Sequence, residues 1–111
     1  MLAWGLLCLG SLPAMADDLI SQINEGREKA RPCTTCHGLD GHRQGGEMPI
    51  IGGRDYFELL YQMGRFKRAD RFQPAMTVLL QTFNEADMAD VAAYFASMDR
   101  SQSARPGPYQ P

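Results

Sequence analysis

Two thiols and an imidazole within five residues constrain this chain more than anything else in it: Cys33-Thr34-Thr35-Cys36-His37. The C-x-x-C-H spacing is that of a c-type haem attachment site. Cysteines so spaced reach the two vinyl groups of one porphyrin as thioethers, and the next residue, His37, then lies beneath the iron as an axial ligand. Other readings exist. A thioredoxin-like dithiol needs a βαβ context, whereas the flanks here read as helix and glycine-rich loop. A zinc site takes four ligands, and His42 is the one obvious addition. A Cys33–Cys36 disulfide suits an exported chain. With 111 residues the chain makes one small domain with a modest core. A covalently held haem would enlarge that core, which favours the first reading.

Residues 1–16, MLAWGLLCLGSLPAMA, carry no charged side chain and end in Ala14-Met15-Ala16 before Asp17-Asp18. An apolar run closing on A-x-A is the pattern of a cleaved secretory signal, and it is shorter than the roughly 20 apolar residues of a membrane span. Cys8 lies inside it, with Leu7 where a lipoprotein site wants a small residue. The expected organisation is a signal peptide at 1–16, one domain at 17–99 and a Pro/Gly/Ser-rich tail at 100–111. Export to the periplasm is expected, where c-type haem is attached. The formal charge of −2, from 11 basic and 13 acidic residues, argues against a nucleic-acid partner.

The rest of the chain reads as all-α, with about three main helices and long loops. Leu19, Ile20, Ile23 and Ala30 recur at helical spacing, with Asp17 or Asp18 as N-cap candidates and Pro32 as a stop. Gly26 interrupts this helix, which points to a close helix–helix approach. Six glycines and Pro49 between residues 38 and 53 mark loop. Asp55 and Glu58 open a second helix, with Phe57, Leu60, Tyr61 and Gly64 at helical spacing. Residues 69–83 are compatible with a short strand or a short helix. Asn84 and Asp87 cap a last helix, on which Met88, Val91, Ala92 and Phe95 form one apolar face.

These features together resemble the class I c-type cytochromes, in particular short bacterial periplasmic ones and single lobes of two-haem ones. The resemblance rests on Gly26, the Cys33–Gly38 segment, Asp40-Gly41, Met48-Pro49-Ile50-Ile51-Gly52-Gly53, Met76-Thr77 and Asp87–Phe95. It implies a fold in which the first and last helices cross, with Gly26 against Tyr94 or Phe95. It also implies one haem c on Cys33 and Cys36, and a Pro49 carbonyl that bonds the free nitrogen of His37. Met76, after Pro74-Ala75 in a loop, stands where the family places its second axial ligand. Met48, His42 or an open site are the alternatives. Met63, Met88 and Met98 read as packing residues, and His42 as a solvated loop residue.

Two filled axial positions leave no place for substrate, so the expected function is single-electron transfer rather than catalysis. Expected partners are a reductase or dehydrogenase as donor and an oxidase or another cytochrome as acceptor. The alternative is a haem c subunit of a periplasmic dehydrogenase. A haem catalyst or gas sensor would need polar distal groups, and no such constellation stands out. Arg65, Lys67, Arg68 and Arg71 form a basic cluster. It reads either as a docking patch for an acidic partner or as a solvated helix end that complements the dipole.

Overall fold

The computed structural model describes residues 12–42 and 49–98, with side chains from residue 17 onward. Among these residues there are five helices and no strand, rather than three helices. They are α1 (Leu12–Lys29), α2 (Arg31–His37), α3 (Tyr56–Lys67), α4 (Pro74–Leu80) and α5 (Glu85–Ala96). The two extra helices, α2 and α4, have seven residues each, too few to show a period. The expected tail at 100–111 lies outside the described residues, as do Cys8 and Met48.

The frame is the crossing of α1 with α5, and Gly26 permits it. A Cβ built on Gly26 would press into the backbone carbonyl of Asp90 and lie 2.8 Å from Tyr94 Cβ. Nearby, the Lys29 ammonium bridges Asp87 (3.0 Å) and Asp90 (2.6 Å), which ties the end of α1 to the start of α5. The helix α5 is well determined locally. The Asn84 side chain accepts from the Asp87 N–H and the Asp87 side chain accepts from the Asn84 N–H, so two orphan donors are satisfied reciprocally. Met88, Val91, Ala92 and Phe95 are buried, and Met88, Val91 and Phe95 pack with Ala30, Leu80 and Phe83.

Several local expectations are corrected. The helix α1 begins at Leu12, so Asp17 and Asp18 lie within it rather than at its N-cap. Leu19 and Ile20 are exposed, while Ile23 is half-buried and Ala30 fully buried. Pro32 does not end α1. It sits in the first turn of α2, where its missing N–H and fixed φ suit a helix start. On α3, Phe57 and Tyr61 are exposed; Leu59, Leu60, Met63 and Phe66 are the residues that pack inward. The ambiguous segment at 69–83 holds α4, started by Gln73 as N-cap and Pro74 in the first turn.

Candidate functional site

Cys33, Cys36 and His37 all lie on α2. Helical spacing puts i, i+3 and i+4 on one side of that short helix, so one turn presents two thiols and an imidazole together. Gly38 ends α2 at φ 90°, a conformation open to glycine, and its N–H bonds the Thr34 carbonyl at 3.0 Å. The two thiols are unbridged; Cys33 is half-buried and Cys36 exposed. Burial pushes the Cys33 thiol up to about 11. A redox dithiol works through a nucleophile whose pKa is lowered, so this environment does not suit the thioredoxin-like reading.

His37 is buried, and its Nδ1 lies 3.0 Å from the Pro49 carbonyl oxygen. A carbonyl only accepts, so Nδ1 carries the proton and the lone pair is left on Nε2. A metal-binding imidazole needs this tautomer, fixed by an outer-shell acceptor. Pro49 is itself held. Ile51 and Gly52 donate to the Gly41 carbonyl at 2.8 and 3.0 Å, and Gly53 donates to the Phe95 carbonyl at 2.8 Å. Gly41 has φ +69°, and a Cβ there would stand 2.6 Å from Gly52 N. A tight turn therefore lashes the 49–53 segment to residue 41 and to the core helix α5.

His42 departs from its expected place. It is buried, with Nδ1 on the Asp40 carbonyl and its backbone N–H 3.0 Å from the Asp40 carboxylate. Its ring lies where a Gly52 Cβ would be, so an approach between segments ten residues apart removes it from solvent. Among the described residues, no three His, Cys, Asp or Glu side chains are grouped to hold a metal ion, so the zinc reading gains no ligands.

Met76 lies in the first turn of α4 rather than in a loop. It is half-buried, and it packs against the apolar cluster that Cys33 also borders. Its N–H donates to the Gln73 side chain at 2.8 Å. Met63 and Met98 pack on the same cluster and Met88 is buried within it. The donor set thus fits an attached haem: two neighbouring thiols not joined in a disulfide, an imidazole of the right tautomer and a thioether on the shared apolar cluster.

The basic cluster is engaged within the chain. The Lys67 ammonium donates to the carbonyls of Leu80 and Phe83. Arg68 pairs with Asp70 at 3.0 Å. Arg71 bonds Gln62 at 3.0 Å and lies 4.6 Å from the Phe66 ring centroid, and Arg65 lies 5.8 Å from that of Tyr61. These contacts favour the helix-end reading over the docking patch. Sequence reasoning overlooked Lys67, Gln73 and Gln81 as the polar setting of α4. Gln73-Pro74 was the available signal, since proline favours the first helical turn, but glutamine is an uncommon cap.

Among the described residues, no helix is long and apolar enough to cross a membrane. No protein-family model matches the chain. Over 76 residues it is 41% identical to cytochrome c4 of Pseudomonas aeruginosa, covering 68% of this chain and 38% of that one. Over 81 residues it is 36% identical to cytochrome c4 of Azotobacter vinelandii, covering 39% of it. The chain therefore spans about two-fifths of the length of these curated relatives. Over 79 residues it is 32% identical to cytochrome c-554(548) of Halomonas halodenitrificans, and there it covers 93% of the relative.

Proposed function

The chain belongs to the family of c-type cytochromes, and on that premise we propose that it is a periplasmic single-electron carrier with one haem c. Cys33 and Cys36 would hold the haem as thioethers, and His37 and Met76 would ligate its iron. When bound, the haem supplies a one-electron iron couple; the chain's part is to hold, orient and shield it. The observation that carries the reading is the His37 Nδ1–Pro49 carbonyl bond at 3.0 Å, one residue from the Cys36 thiol. That bond fixes the ring and presents Nε2, and the anchored 49–53 segment keeps it from turning away. The thioether of Met76 favours the reduced iron more than harder ligands do. With His37 and Met76 both given to the iron, the chain would leave no place there for a substrate, so its own role would be electron transfer rather than catalysis. The apolar run at 1–16 with its A-x-A ending supports export. The donor is a reductase or dehydrogenase, and the acceptor an oxidase or another cytochrome.

Intact mass under denaturing conditions, followed by a redox titration, tests this. The expected mass is the polypeptide plus one haem, with a single one-electron wave, and Met76→Ala lowers the midpoint. Haem lost on denaturation refutes attachment through Cys33 and Cys36. An unchanged midpoint and spectrum in Met76→Ala refute Met76 as ligand.

A further inference from the structure

The helix that carries Met76 has its backbone close to only one other described helix, α3. The last residue of α3, Lys67, reaches across to it. Its ammonium donates to the Leu80 carbonyl at 3.0 Å and to the Phe83 carbonyl. Leu80 closes α4, and its carbonyl is one of the last-turn acceptors a helix leaves without an intrahelical partner. The reverse bond is present too. Gln81, the C-cap of α4, donates from Nε2 to the Lys67 carbonyl at 2.8 Å and to the Thr77 carbonyl at 3.0 Å. Two helix C-termini, each a site of partial negative charge, thus meet at one half-buried ammonium and one amide. At the other end of α4, Gln73 holds the Met76 N–H at 2.8 Å.

We propose that Lys67, together with Gln81, is a positioning residue for the Met76 ligand: it clamps the C-terminal end of α4 to α3, so that the thioether is held at the iron against competing ligands. This rests on the reading of Met76 as an axial ligand. The clamp holds the C-terminal end of the seven-residue helix whose first turn carries Met76, and acts on Met76 through that helix. Removing the ammonium leaves the Leu80 and Phe83 carbonyls without a charge-assisted donor, and such bonds are roughly twice as strong as neutral ones. The helix then keeps its N-terminal tie to Gln73, and the sulfur competes less well for the iron.

The test is titration of the ferric, haem-loaded protein with imidazole, read by absorbance. Lys67→Met is expected to raise the apparent imidazole affinity about tenfold, the factor for one charge-assisted hydrogen bond of low net strength. Lys67→Arg, whose guanidinium also donates to carbonyls, should restore the wild-type value. Lys29→Met, which breaks the α1–α5 bridge instead, should lower stability without changing imidazole affinity. If Lys67→Met fails to load haem, Gln81→Leu breaks the same clamp and should shift affinity in the same direction. Wild-type imidazole affinity in Lys67→Met or Gln81→Leu, beside tighter binding in Met76→Ala, overturns the clamp and leaves the ligand intact. Unchanged affinity in Met76→Ala itself overturns the ligand, and the clamp with it.

Discussion

Gly26→Ala and Gly64→Ala make the same change inside two helices, and the structure requires opposite signs. Alanine improves a helix interior by about 1 kcal/mol over glycine, so propensity alone predicts that both variants gain. At Gly26 a Cβ would stand 2.7 Å from the Asp90 carbonyl carbon and 2.8 Å from Tyr94 Cβ. Carbon atoms rest at about 3.5 Å or more, so α1 and α5 must part by about 0.7 Å or more at their crossing. A gap of that size forfeits a quarter to a half of each dispersion contact around it. Overpacking costs about 1–3 kcal/mol, and the upper end applies because the obstacle is backbone. Subtracting the propensity gain leaves a net loss of about 2 kcal/mol, or roughly 8–16 °C in Tm for a domain of this size. At Gly64 the Cβ meets only the end of the Arg68 side chain, at 2.9 Å. That guanidinium is 59% exposed in a surface pair with Asp70, and such pairs contribute little. Gly64→Ala should therefore gain about 0.5–1 kcal/mol, or roughly 2–8 °C. Thermal unfolding of the haem-loaded proteins, followed by far-ultraviolet circular dichroism, decides it. A Gly26→Ala protein that melts at or above wild type refutes the close crossing.

Asn84→Ala removes half of the reciprocal cap on α5 and should cost about 1 kcal/mol, read as a lower urea midpoint with an unchanged slope. The Asn84 N–H, then the Lys29 ammonium, hold the Asp87 carboxyl below its usual value. A depressed folded pKa contributes stability above the unfolded value of 3.8 and loses it as pH falls through the folded one. The acid limb of a urea-midpoint profile should accordingly be shallower in Asp87→Asn than in wild type; an identical limb contradicts the assignment. On the alkaline side, hydrogen bonds to Asp90 and then Asp87 raise the Lys29 ammonium above 10.5. Its contribution holds up to that pH and is lost as pH rises through the folded value. Lys29→Met should flatten that limb in the same assay.

The residues on α5 stated their structure outright: a reciprocal cap at Asn84 and Asp87, then four apolar residues at helical spacing. The motif on α2 stated its chemistry but not its conformation, because seven residues show no period and the helix is bounded by Pro32 and Gly38. For α4 the obstacle was composition, since Thr77-Val78-Leu79-Leu80 suits a strand as readily as a helix. Hydrophobic spacing on α3 named Phe57, Leu60, Tyr61 and Gly64; Leu60 and Gly64 do lie inward, yet tertiary packing took Leu59 and Met63 in place of the exposed Phe57 and Tyr61. His42 was illegible for a different reason. Its burial follows from the approach of Gly52, a fact of the folded loop rather than of local sequence. Lys67 was visible only as one of four basic residues, and its two carbonyl partners lie 13 and 16 positions away.

Exposure of the reduced, haem-loaded protein to carbon monoxide tests the central claim most directly. If His37 and Met76 fill both axial positions, the absorption spectrum stays that of a low-spin haem and does not change on exposure. Ready formation of a carbon monoxide complex by the folded protein would show an accessible iron, and would contradict both Met76 as ligand and the carrier function.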